Sequence, residues 1–267
     1  MTHSKQLQLH YQTSGNPEDL PVLFLHGFMG SGNDWNEVIQ FLSPQYYCLA
    51  VDLPGHGETG LDENTDYSFE KTAIAVIQLI KQSDIKKCLL VGYSMGGRLA
   101  LFLTLRYPQF FSKTVLESAS PGLRTQQERE DRRIHDSQIS EELKRGSFKS
   151  FLKKWYGQQV FQGLTKDKNF NRLISDRLQN DPKTLAQSLL FLGTGAQPSL
   201  WEELPQNNNP LLLLVGGNDT KFQSIADEMA KSNGLAQTKI IEGCGHNIHV
   251  QKSELFAQYI REFFAEN

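Results

Sequence analysis

Lys87-Cys-Leu-Leu-Val-Gly-Tyr-Ser-Met-Gly-Gly-Arg98 decides how this chain is read. Residues 88–91 form a short apolar run of the kind buried on both faces of a parallel sheet. A helical pattern begins at Met95 and continues to Arg106. Between them the turn Gly92-Tyr93-Ser94-Met95-Gly96 leaves no room for a loop. A serine squeezed between strand and helix in this way projects its hydroxyl from a strained backbone, and the flanking glycines let the two elements approach. The helix N-terminus beneath favours developing negative charge. The turn alone is a weak signal; strand before and helix after make Ser94 a candidate nucleophile.

Outward from this stretch, strand-like and helix-like segments alternate. Apolar runs at residues 22–25, 46–51, 88–91, 114–116, 211–215 and 239–241 read as parallel strands, and residues 7–11 as an edge strand. Helical patterns cover residues 35–42, 69–81, 95–106, 222–231 and 254–264. This alternation predicts an α/β fold, a mostly parallel sheet covered on both faces. Residues 122–198 break it with amphipathic helices at 126–137, 148–156, 169–178 and 183–192. They are read as a helical cap inserted into a core domain of residues 1–121 and 199–267.

Composition narrows the function classes. The chain has 267 residues, 39% of them apolar, enough for one sizeable domain, and its net charge of −3 offers no basic face for nucleic acid. No apolar run approaches a membrane span, and the first ten residues lack the apolar core of a signal peptide. Three cysteines, with Cys48 and Cys88 in strand-like runs, suit a reduced, cytoplasmic protein. A monomer acting on a small molecule is expected.

A nucleophilic serine needs a base, and the base an orienting acid. His246, in the loop after the last expected strand, and Asp219, in the loop after residues 211–215, follow Ser94 in the order Ser, Asp, His. Asp219 also reads as a turn residue or helix N-cap. The amides of Met95 and of Phe28, in Leu25-His-Gly-Phe-Met-Gly30, are the candidate oxyanion donors. Asp52-Leu-Pro-Gly-His-Gly57 reads as a turn bordering the sheet. The His246/His249 spacing is conceivable as a metal pair, but no further ligand set accompanies it, and no metal or cofactor is expected. Arg98, one helical turn after Ser94, is a costly cation unless an anion pairs with it, whether a protein carboxylate or a substrate carboxylate. Arg124, Arg129, Arg132 and Arg133 add cations at the start of the inserted region, and Trp155 and Tyr156 read as pocket wall or core.

Taken together, Leu25-His-Gly-Phe28, Val51-Asp-Leu-Pro-Gly-His-Gly57, Gly92-Tyr-Ser-Met-Gly-Gly-Arg98, Ser120-Pro-Gly-Leu123, Glu128-Arg129 with Arg132, Trp155-Tyr156 and Gly245-His-Asn-Ile-His249 resemble the 2-succinyl-6-hydroxy-2,4-cyclohexadiene-1-carboxylate synthases. These are α/β-hydrolase-fold enzymes of menaquinone and phylloquinone biosynthesis. The resemblance runs from Val22 to the C-terminus. It implies a lyase that eliminates pyruvate from an acidic cyclohexene precursor without a cofactor. By motif, Ser94, Asp219 and His246 match the triad. Phe28 and Met95 match the oxyanion donors, and Tyr93, Arg98, Arg132 and Trp155 match positions that hold the multi-carboxylate substrate. The other reading of the same residues is a carboxylesterase or carbon–carbon-bond hydrolase acting on an anionic substrate.

Overall fold

The structure is a computed structural model that describes residues 7–62 and 65–266. Most of the opening stretch read as lacking a signal-peptide core, residues 1–6, lies outside it. Seven strands form one sheet in the order β1-β3-β2-β4-β5-β6-β7. They are β1 Tyr11–Ser14, β2 Pro21–Leu25, β3 Tyr47–Val51, β4 Cys88–Tyr93, β5 Phe111–Glu117, β6 Leu211–Gly216 and β7 Ala236–Ile241. All pairings are parallel except that of β1 with β3.

Side chains alternate along each strand, and the alternation sorts the core into two layers. Leu23, Leu25, Leu49, Val51, Leu211 and Leu213 face helices α2 (Phe69–Gln82), α3 (Met95–Arg106) and, later in the chain, α8 (Thr220–Ser232). Val22, Phe24, Cys48, Ala50, Leu212 and Leu214 face α1 (Asn36–Leu42) and α10 (Ser253–Ala265). All three cysteines are buried. Among the described residues, no helix is long and apolar enough to cross a membrane.

The edge strand lies four residues later than expected. Residues 7–11 show the apolar alternation, yet β1 pairs Tyr11 with Val51 and Ser14 with Cys48 through residues that are all exposed. At a solvated edge, ladder hydrogen bonds set the register and the apolar pattern has little say. Leu9 instead packs against the core ahead of the strand.

Helices α4 (Gln126–Arg145), α5 (Phe148–Tyr156), α6 (Phe170–Arg177) and α7 (Pro182–Leu192) lie between β5 and β6. The first is eight residues longer than the expected 126–137. A capping box starts it, with Thr125 and Glu128 exchanging bonds, and it meets neither glycine nor proline before Gly146. These helices build a third apolar cluster around Leu143, Phe151, Tyr156, Leu173 and Leu185, and Met29 from the loop after β2 joins it. Arg177 on α6 closes the seam. Its guanidinium makes two 2.7 Å bonds to Asp34, and its Nε donates to the Tyr156 hydroxyl at 3.0 Å. Both charged side chains are buried.

The strand order reverses direction between β2 and β4. In open α/β sheets the crevice at such a switch point, outside the carboxyl ends of the strands, is where ligands bind. The loop after β2 carries Phe28, and the turn after β4 carries Ser94.

Candidate active site

Ser94 is the N-cap of α3, with φ 49° and ψ −106°. Its amide donates to Glu117 O at 2.9 Å, its carbonyl accepts from Arg98 N, and the Gly96 amide donates to His26 O at 3.0 Å. These bonds hold the strained conformation on three sides. Gly96 is required by contact, since a Cβ there would lie 2.3 Å from Leu25 O.

The structure brings His246 and Asp219 to Ser94. His246 Nε2 lies 3.1 Å from Ser94 Oγ, and His246 Nδ1 lies 2.6 Å from Asp219 Oδ2. A carboxylate facing Nδ1 keeps the ring proton there and leaves Nε2 free to accept from the serine. Asp219 fills both roles read from its position: Oδ1 caps α8 through the Phe222 amide while Oδ2 holds the histidine. The His246 ring is walled by Phe161, Phe222 and Tyr93.

Two histidines outside this trio shape the loop after β2. His26 donates from Nδ1 to Gly27 O and accepts at Nε2 from the Leu53 amide. His56 accepts at Nε2 from the Met29 amide and donates from Nδ1 to Pro54 O. Burial pushes both imidazoles below the usual range, His56 well below it, so each stays neutral and keeps one donor and one acceptor. The turn at residues 52–57 is therefore a brace, with Asp52 adding bonds to the Gly32 and Glu58 amides. The Phe28 and Met95 amides find no acceptor among the described residues, and both residues line the cavity beside Ser94.

That cavity has a volume of about 440 Å³ and is lined by Ser94, His246, Phe28, Met95, Arg98, Arg132 and Trp155, together with residues of α7 and α8, of the segment that follows β5 and of the segments after α5 and α7. Arg98 is only 8% exposed. Its partners are neutral: Leu192 O at 2.9 Å and Gln197 Oε1 at 3.3 Å, with the guanidinium 6.0 Å from the Phe69 ring. Burial first, and Arg132 second, lower it to about 9. Among the described residues no carboxylate pairs with it. The nearby Asp136 is committed to Arg132 Nε at 2.7 Å and to the Gly195 amide. Trp155 stands edge-on to Phe28 at 5.5 Å.

Tyr93 is placed elsewhere than expected. Its ring packs between those of His246 and His249, at 5.4 and 4.6 Å, and it does not line the cavity. Strand periodicity is the reason, because residue 93 follows 89 and 91 onto the α1 and α10 face. Of the arginines clustered at residues 124–133, Arg124 stacks on Trp201 and pairs with Glu228, and Arg129 bonds to Leu123 O and Arg124 O. Arg132 is the member of that cluster that reaches the cavity.

Three residues were not singled out from sequence. Glu117, 0% exposed, accepts from the Ile248 and His249 amides and from His249 Nδ1, and so holds the loop that carries His246. Lys221 lines the cavity two residues after Asp219, which was the signal that could have found it. Ser118 lines the cavity from the end of β5.

Comparison with known proteins places this geometry. A model of the alpha/beta hydrolase fold matches residues 21–253. A Bacillus subtilis (strain 168) protein provisionally named 2-succinyl-6-hydroxy-2,4-cyclohexadiene-1-carboxylate synthase is 36% identical over 91% of this chain and 89% of its own length. The enzyme of that name from Serratia proteamaculans (strain 568) is 33% identical over 91% and 92%. The solved structure of MenH from S. aureus superposes with a TM-score of 0.91 at 30% identity, covering 96% of this chain and 97% of that one. The chain therefore belongs to the α/β-hydrolase-fold family and, within it, to the 2-succinyl-6-hydroxy-2,4-cyclohexadiene-1-carboxylate synthases, which are lyases on that scaffold.

Proposed function

We propose that the chain eliminates pyruvate from 2-succinyl-5-enolpyruvyl-6-hydroxy-3-cyclohexene-1-carboxylate, giving 2-succinyl-6-hydroxy-2,4-cyclohexadiene-1-carboxylate for menaquinone or phylloquinone biosynthesis. Residues 122–198 act as a cap over a core of residues 1–121 and 199–267, and the substrate lies between them. The observation that carries this reading is Arg98, a buried guanidinium at the nucleophile with no carboxylate partner of its own. A substrate carboxylate supplies the missing anion. Arg132 and Lys221, which line the same cavity, suit the further carboxylates, and Trp155 the ring.

The reaction uses the triad as a base. Asp219 fixes the His246 tautomer, and His246 Nε2 draws the proton from Ser94 Oγ. Ser94 Oγ takes the acidic ring proton of the substrate. The electron pair left on carbon moves through the ring, and the carbon–oxygen bond to the enolpyruvyl group breaks. Enolpyruvate leaves, takes up a proton and becomes pyruvate. Negative charge that builds on a substrate carbonyl oxygen is met by the amides of Phe28 and Met95. General-base catalysis contributes about 10²–10⁴-fold and one oxyanion donor about 10²–10³-fold, so the binding groups and amides leave residual turnover when the serine is removed.

The test is pyruvate release from the authentic precursor, followed with a coupled dehydrogenase, for the wild type and Ser94→Ala. Release by the wild type and severe loss in the variant support the reading. An acyl-enzyme burst with simple activated esters and no pyruvate would replace it with a serine esterase.

A further inference from the structure

Ser118 follows β5 directly and has φ 47°, in the left-handed region that non-glycine residues enter at a cost. The residue is held there from both sides. The carbonyl before it, Glu117 O, accepts the Ser94 amide from the end of β4, and its own amide donates to Leu214 O of β6 at 3.0 Å. It sits between the strand that carries the nucleophile and the strand that leads to Asp219. It is 1% exposed, and its hydroxyl has no partner among the described residues. Other buried polar atoms lack a partner too, but Ser118 Oγ alone of them belongs to a residue lining this cavity. Strain and an unpaired hydroxyl are two separate costs at one residue of the site. Such costs persist when the surroundings over-determine a geometry that function uses.

We propose that Ser118 is a substrate-positioning residue whose hydroxyl donates a hydrogen bond to a carboxylate oxygen of the bound substrate. The direction follows from the company it keeps. Arg98, Arg132 and Lys221 in the same cavity are all donors, so the ligand they fit is rich in acceptors. The assignment rests on the anionic-substrate reading above and goes beyond it, because neither the arginines nor the triad calls for Ser118.

The experiment uses Ser118→Ala, which removes the hydroxyl and keeps the backbone strain, and Ser118→Gly, which relieves both. Three quantities are measured for each: kcat/KM by pyruvate release, calorimetric affinity for the cyclohexadiene product, and thermal midpoint. Loss of one hydrogen bond to a charged oxygen lowers kcat/KM about 10- to 100-fold and weakens product binding. Stability moves the other way: Ser118→Gly melts about 2–4 °C above the wild type, and Ser118→Ala no lower than it. A merely structural serine reverses this pattern, with lower midpoints and unchanged product affinity, and that result overturns the proposal. Wild-type kcat/KM in both variants overturns it as well. If the wild type itself releases no pyruvate, the functional reading fails, and product affinity decides on Ser118 alone: equal affinity in all three proteins sinks it.

Discussion

Replacing Arg98 with methionine separates binding from folding. The guanidinium has five N–H donors, and two of them are used by Leu192 O and Gln197 Oε1, which leaves three without a protein acceptor at a residue that lines the cavity. A hydrogen bond to a charged group contributes about 1.5–3 kcal/mol, so the loss of a carboxylate contact through one or two of these donors is worth about 3 kcal/mol. That corresponds to roughly 100-fold in kcat/KM. The carboxylate is held alike before and during the reaction, so the loss falls mainly on KM. Stability behaves differently, because methionine fills the space without a buried charge that lacks an acid partner. The thermal midpoint of Arg98→Met is expected within about 3 °C of the wild type. There is a pH signature as well. Burial and Arg132 lower the free guanidinium to about 9, so anion binding is full below that value and weakens as pH rises through it. A bound carboxylate raises the guanidinium again, so the alkaline loss shows in kcat/KM and not in kcat. The assay is pyruvate release between pH 7 and 10.5 for both proteins. Wild-type kcat/KM in Arg98→Met, or an alkaline limb that survives the substitution, would refute the reasoning.

Two further substitutions probe the supports. Asp219→Asn places an amide donor opposite His246 Nδ1, moves the ring proton to Nε2 and removes the acceptor for Ser94; turnover and fluorophosphonate labelling of Ser94 should both fall about 10²–10⁴-fold while the fold is kept, as read by circular dichroism. Asp34→Asn breaks the bidentate pair that joins α6 to the turn after β2 and leaves Arg177 buried without its counter-ion, at about 3–5 kcal/mol, or roughly 10 °C of thermal midpoint. Burial pushes the Asp34 carboxyl up, but the charge and hydrogen bonds of Arg177 together outweigh it and hold it below the usual range. Its stabilisation is therefore present above about pH 4 and lost as pH falls through the depressed value, so the gap between wild type and variant should close on acidification. A gap that is constant from pH 7 to 3 would show that this pair does not carry the difference.

The legible parts of this molecule are those where local backbone demands set the residue. Ser94 between glycines, with strand before and helix after, allows one presentation of the hydroxyl, and the structure places Ser94, His246 and Asp219 together in the order read from the chain. Strands buried on both faces were equally readable, from their continuous apolar runs. Alternation misplaced the exposed edge, where β1 has no buried face to set its register. Tyr93, which the family resemblance matched to a substrate-holding position, follows Leu89 and Val91 onto the α1 and α10 face, because a period of two sends adjacent strand residues to opposite faces.

The residues that escaped the sequence act through partners far along the chain. Glu117 meets Ile248 and His249, 131 and 132 residues away, and Arg177 meets Asp34 across 143. No local pattern marks either pair, since a lone glutamate on an apolar strand and a lone arginine ending a short helix look like ordinary surface charge. Both are buried, and each ties a loop beside Ser94 to a separate layer: Glu117 holds the His246 loop to the strand that also receives the Ser94 amide, and Asp34 anchors α6 beside the loop after β2. The cost of burying them is offset only in the assembled fold, where their partners arrive from distant parts of the chain. The chemistry of this chain is thus written locally, in short motifs any member of the fold can carry. The geometry that positions it is written in pairs far apart in the chain, and at the Ser118 hydroxyl, which has no partner among the described residues, the substrate completes one as proposed.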